Sequence, residues 1–272
     1  MRLGIFAKTF AGTEPAAVLT AVKQAGYETT QFNLACAGLP SMPDVVPADA
    51  IASVRAAVRS SGVSLAALSG TYNMAHPDKV VRDGGLRRLA AIINAAAALD
   101  IPLVTLCTGS RNAADQWAYH PDNSTPAAWS DMAAEMEKAL ALAEDAGVDL
   151  GIEPEQANIV TSARDATRLI AEMGSKHLKI VLDPANLFEH ATQHEARAIV
   201  AAAIDEAAGH IAMAHAKDRS GDGGFATAGQ GIVDFPHFVS RLKAAGFDGS
   251  LVTHGLSADE APGVAAFLRG LL

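Results

Sequence analysis

The chain has 272 residues, half of them hydrophobic, with a mean hydropathy of +0.17, yet no apolar run approaches the roughly 18 residues of a membrane span. Thirty acidic against 21 basic side chains give a net charge of −9 and leave no basic stripe for a phosphate backbone. A membrane and a nucleic acid are therefore excluded as expected partners, and Cys36 and Cys107, which nothing marks as a pair, read as reduced thiols of a cytoplasmic protein.

Taken in chain order, MRLGIFAKTF opens on an apolar run at 3–7 without the h-region or cleavage site of a signal peptide, and reads as a first strand. Thr13 followed by Glu14 and Pro15 reads as an N-cap and helix start, leading into PAAVLTAVKQAG, which closes at Gly26. Further apolar runs follow at 30–34, 65–68, 103–106, 150–152, 178–182, 211–214 and 251–253. Between them lie amphipathic, Ala-rich segments such as ADAIASVRAAVRSSG and AWSDMAAEMEKALALAEDAG, with Gly62, Gly147 and Gly246 where a helix needs a left-handed terminal residue. Eight strands alternating with helices predict one (β/α)8 TIM barrel over 1–272, a length close to the typical size of about 250 residues. A doubly wound open sheet is the alternative, but no GxGxxG follows the first strand. Two connections, 107–126 and 216–233, are too long for simple turns and are expected to be mobile loops over the pocket mouth.

The last four runs each end on a group that can hold a metal or move a proton: Glu153 in LGIEP, Asp183 in IVLDP, His215 in IAMAH and His254 in SLVTH. On consecutive strands of one barrel these side chains converge at the C-terminal rim. A carboxylate there is partly desolvated and needs a metal, a cation or several donors, although each alone suits an ion pair or a helix cap. A divalent ion would take oxygen from Glu153 and Asp183 and nitrogen from His215, with His254 as fourth ligand, as an acid/base, or as a structural imidazole bonded to a carbonyl. Lys217, on the same side of the chain as His215, would stabilise an enolate oxygen, or else pair with Asp218 or Glu155. Among the loops, His76 and Asn73 follow the third strand, and Arg111, Trp117, Tyr119 and His120 lie on the fourth loop. His76 reads as a contact to a substrate hydroxyl and Trp117 as a face for a sugar ring, with plain loop packing as the alternative for both.

The segments GIEPEQAN, VLDPANLF, AHAKDR, GQGIVDF and GFDGSLV resemble the strand-end motifs of the sugar phosphate isomerase/epimerase family, the xylose-isomerase-like TIM barrels, and the likeness runs nearly end to end. The resemblance implies a divalent metal, often manganese, held by Glu, Asp, His and Glu, of which the first three fall on Glu153, Asp183 and His215. It departs at His254, where the family carries a ligating and catalytic glutamate, and at Asn186, where many relatives carry a substrate-contacting or metal-binding histidine. The resemblance thus implies an isomerase or epimerase of a sugar, keto-sugar or related polyol, acting through a metal-stabilised enediolate. Zinc, manganese, magnesium and cobalt all remain open, and nitrogen at position 254 favours the softer ions over magnesium. A dehydratase or lyase of a keto-inositol-like substrate, and a degenerate barrel that binds a sugar without turnover, are the alternatives. A homo-oligomer is compatible with the sequence.

Overall fold

A computed structural model describes residues 1–272, and in it each of the eight apolar runs becomes a parallel strand of a closed barrel. The barrel strands are β1 (Arg2–Phe6), β2 (Thr29–Phe32), β3 (Ser64–Ser69), β4 (Leu103–Leu106), β5 (Asp149–Ile152), β6 (Leu178–Leu182), β7 (Ile211–Ala216) and β10 (Ser250–Thr253), the last closing on β1. Eight helices sheathe it: α1 (Pro15–Gln24), α2 (Ala48–Ser61), α3 (Lys79–Ala98), α4 (Pro126–Ala146), α5 (Ala163–Met173), α6 (Gln193–Ala207), α7 (Phe235–Ala244) and α8 (Ala261–Arg269). Gly62 and Gly147 end α2 and α4 at φ +68°, a conformation that other L residues adopt only with strain. The start of α1 differs from expectation: Glu14 takes the cap position without a side-chain bond, and Pro15 alone sets the first turn.

Side chains alternate along a strand, so every second residue points into the barrel. Ala67, Leu103, Val181, Met213 and Val252, one from each of five strands, pack together as a buried layer inside it. Gly151 on β5 belongs at the same level, and its hydrogen in place of a Cβ is required by the filled floor. An added Cβ would stand 2.8 Å from Val181 Cγ2 and 3.1 Å from Leu103 Cδ1. Gly151→Ala should therefore lower stability by about 1–3 kcal/mol, the usual cost of overpacking, read as a lower urea midpoint with an unchanged slope. An unaltered midpoint would show that this layer can yield.

Two register shifts adjust the barrel. Ile180 pairs with Ile211 but Val181 with Met213, so β7 carries one extra residue, Ala212. Continued one residue past Leu182 and Ala214, this register sets Asp183 beside His215, whereas an unbroken register would have sent them to opposite faces of the sheet. The same device recurs between β2 and β3, where Thr30 pairs with Leu65 but Gln31 with Ala67.

The connection 216–233, too long for a simple turn, has structure of its own. It holds an antiparallel pair, β8 (Asp218–Arg219) and β9 (Phe225–Ala226), and turns around the Asp218 carboxylate. That fully buried side chain accepts from the backbone N–H groups of Arg219, Gly229, Gly231 and Val233 at 2.8–3.0 Å. Gly231 has no alternative, because a Cβ there would lie 2.4 Å from Asp218 Oδ1.

Candidate metal centre and active site

Two residues beyond the apolar layer, the same alternation brings Ser69, Thr105, Asp183, His215 and His254 inward, each following a layer residue of its own strand. Glu153 follows Gly151 in the same way. The floor is thus apolar and the level above it polar, which is how the fold concentrates chemistry at the C-terminal rim.

Ligand atoms of Glu153, Asp183, His215 and His254 all lie within 4.8 Å of one another. Two atoms on opposite sides of an ion at about 2.1 Å each would stand about 4.2 Å apart, so the four are near ligating separation. His254 Nε2 is 2.9 Å from Asp183 Oδ2, and His215 Nδ1 is 3.3 Å from Glu153 Oε1 and 3.7 Å from Asp183 Oδ2. The two imidazole rings meet at a centroid distance of 4.5 Å. Asp183 also caps the short 3₁₀ turn that follows it, its Oδ1 accepting from Ala185 N–H at 2.9 Å. The cap and the cluster therefore use different oxygens of one carboxylate.

Around the four stands a shell of fixed hydrogen bonds. Asn186 donates from Nδ2 to Glu153 Oε1 at 2.7 Å and accepts from Lys217 Nζ at 2.8 Å. Lys217 Nζ is 3.4 Å from Asp183 Oδ2 and lies 3.9 Å from the centre of the Phe225 ring on β9. Its ion pair is with Asp183 and not with Asp218, whose oxygens are taken by backbone amides.

The charges explain one another. Burial alone would raise Asp183, but the Lys217 ammonium, the nearby His215 imidazole and the hydrogen bond from His254 reverse this and hold its carboxyl well below the usual range. Burial likewise opposes ionisation of Glu153, and the charge and hydrogen bond of His215 bring it down. His215 is pushed up to about 9, burial being outweighed by Glu153 and Asp183. Burial and the neighbouring His215 charge lower His254, keeping that imidazole neutral. Glu155, two residues on, rises to about 7 through burial and the charge of Glu153. In the metal-free protein an imidazolium and an ammonium thus balance two carboxylates, and a divalent ion would take the place of the His215 proton. The donor set, two carboxylate oxygens and two imidazole nitrogens, fits such an ion.

Glu153, His215 and His254 form one wall of a cleft of about 420 Å³. Its other walls come from the first half of the chain: Phe6 at the end of β1 and Lys8 after it, Gln31 on β2 and Asn33 just past it, Ser69 at the end of β3 and Thr71 after it, and Thr105 on β4. These residues escaped the sequence reading, although each pair obeys the same two-residue step. Trp117, 49% exposed, and Gln116 reach the cleft from the connection 107–126.

His76 and Arg111 are not brought there. His76 accepts from Asp78 N–H at Nδ1 (3.0 Å) and meets Ala113 O at Nε2 (3.2 Å), so both ring nitrogens hold loops together. Arg111 reaches Asp131 Oδ2 at 2.7 Å and Ala75 O at 3.3 Å, which ties its loop to α4. Asn73 braces the same loop through Ser110, and His120 caps the short turn before α4. Asn186, buried behind Glu153, touches the cluster and not the cleft wall.

Among solved structures the chain is similar to 3-keto-D-glucoside 4-epimerase from E. coli (18% identity, TM-score 0.78, 99% of each chain covered). It is also similar to an L-ribulose 3-epimerase (21%, 0.77, 99% of this chain and 92% of that one). A third is a D-psicose 3-epimerase from Clostridium cellulolyticum H10 described with D-tagatose (17%, 0.76, 100% and 99%). Identities this low establish a shared fold. No curated protein matches the sequence. The family model of the xylose isomerase-like TIM barrels, however, matches residues 19–270. With nearly its whole length inside that match, the chain belongs to the xylose isomerase-like TIM barrel family.

Proposed function

We propose that the protein is a metal-dependent isomerase or epimerase of a sugar, keto-sugar or related polyol. The observation that carries this reading is the four-donor cluster of Glu153, Asp183, His215 and His254 opening into a cleft lined by hydroxyl and amide side chains. Three solved structures of the same fold are named as epimerases of keto-sugars or keto-glucosides, which supports the substrate class.

Glu153, Asp183, His215 and His254 would hold the ion, which when bound polarises a substrate carbonyl and an adjacent hydroxyl as a Lewis acid. Both side-chain partners of Glu153 fall on Oε1, leaving Oε2 free to take a proton from a carbon next to that carbonyl. Asn186 fixes the carboxylate for this task, and Lys217 holds Asn186 from behind. Trp117 at the mouth offers an aromatic face to the sugar ring. His254 is either the fourth ligand or the acid/base that returns the proton, since a ligating nitrogen cannot also carry it.

Incubating the protein with manganese and a panel of ketoses in D₂O tests the reading. Deuterium should enter the position next to the carbonyl, with an epimer or isomer as product. A dehydrated product would assign elimination on the same site, and ligand binding without exchange would make the barrel a binding protein. His254 is tested beside it: His254→Ala should lower bound metal, and His254→Glu should restore it with a shift toward manganese. Wild-type metal content in both variants, with turnover lost, would make His254 the acid/base.

A further inference from the structure

Gln31 is the polar residue of β2 at the level of the metal cluster, 8% exposed, and nothing in the family's strand-end motifs points to it. Its Oε1 accepts from His215 Nε2 at 2.8 Å. Its Nε2 donates to Ser69 Oγ and Thr105 Oγ1, each at 3.1 Å, from the next two strands. The register shift beside Gln31 makes this arrangement: it pairs Gln31 with Ala67, so that Ser69, two residues further along β3, points to the same interior. The amide is therefore clamped at one end by two hydroxyls and directed at an imidazole across the barrel with the other.

An imidazole binds a metal through one nitrogen, and the partner of its other N–H sets both the ring's orientation and its basicity. His215 Nδ1 faces Glu153 Oε1 and Asp183 Oδ2, so Nδ1 is the ligating atom and Nε2–H the one to be held. We propose that Gln31, braced by Ser69 and Thr105, is a positioning residue that fixes the His215 ring with Nδ1 toward the metal site. The inference rests on the reading of the four donors as a metal centre. The role differs from that of a structural glutamine because it predicts a loss of metal affinity that Gln31→Glu restores, whatever the stability of the metal-free variants. It also differs from that of a substrate contact, which would change KM and leave metal affinity alone.

The experiment measures manganese and zinc affinity by chelator competition for the full chain and for Gln31→Leu, Gln31→Glu and His215→Ala, with thermal unfolding of the metal-free proteins alongside. Gln31→Leu removes the acceptor and should weaken metal binding by about 10–100-fold, the range for partners of ligating histidines. Gln31→Glu keeps an oxygen for His215 Nε2–H and lets Ser69 and Thr105 donate to the other, so affinity should stay within a few-fold of wild type. Should Gln31→Leu fail to fold, the double variant Ser69→Ala/Thr105→Val frees the amide without touching it, and a several-fold loss is expected. Wild-type affinity in Gln31→Leu or in the double variant, or equal losses in the Leu and Glu variants, overturns the proposal. His215→Ala separates the two failures: if it too keeps wild-type metal binding, the metal-centre reading has fallen, and if it alone loses metal, only the role of Gln31 has.

Discussion

Glu153→Gln should reduce exchange of the substrate's carbon-bound proton by about 10²–10⁴-fold with metal saturating, the usual contribution of a positioned general base. The substitution keeps an oxygen for Asn186 Nδ2 and His215 Nδ1, so the packing of the cluster survives while the charge and the proton acceptor are lost. Circular dichroism and the urea midpoint should therefore match wild type, and bound metal should fall because one charged ligand has become neutral. Deuterium incorporation at the wild-type rate would move the base to another residue, with His254 of the cluster and Glu155, raised to about 7 by burial and the charge of Glu153, as the candidates.

Asp218→Ala should destabilise the protein by at least about 3 kcal/mol. Four backbone N–H groups lose their acceptor together, and each buried donor left unpaired costs about 1–3 kcal/mol. Water entering the gap would relieve some of these, which is why the expected minimum lies below the roughly 4 kcal/mol that four donors at the smallest cost would give. The segment 218–233 should also become protease-sensitive, because Asp218 is the point around which it turns. A urea midpoint within experimental scatter of wild type would show that the hairpin β8–β9 and Gly231 hold this connection without the carboxylate.

Much of this fold is legible in the chain because parallel barrel strands are buried on both faces and read as short apolar runs at helix-length spacing. The ends of the last four runs carry Glu153, Asp183, His215 and His254, whose chemistry stands out against an apolar background, and the barrel brings these four together. The same rule on the first four strands yields Phe6, Gln31, Ser69 and Thr105, but hydroxyls and amides at strand ends have no signature that separates them from ordinary polar residues. The extra residues at Ala66 and Ala212 are invisible for another reason: a register shift belongs to the pairing of two strands and is written in neither alone. Loop residues are the hardest to place. His76 and Arg111 have suitable chemistry, yet their polar atoms are consumed by the loop's own carbonyls and by Asp131. In the connection 216–233 the Gly-rich sequence suggests freedom, whereas one of its glycines, Gly231, makes room for close approach to Asp218.

The functional account rests on one claim, that Glu153, Asp183, His215 and His254 hold a divalent ion. Its most direct test is anomalous diffraction from crystals of the full chain loaded with manganese or zinc, together with metal analysis of the same protein. The account predicts about one ion per chain, with its anomalous peak about 2.0–2.3 Å from side-chain atoms of Glu153, Asp183 and His215, and with His254 close enough to complete the set. A peak elsewhere, or no stoichiometric ion at saturating metal, would contradict it.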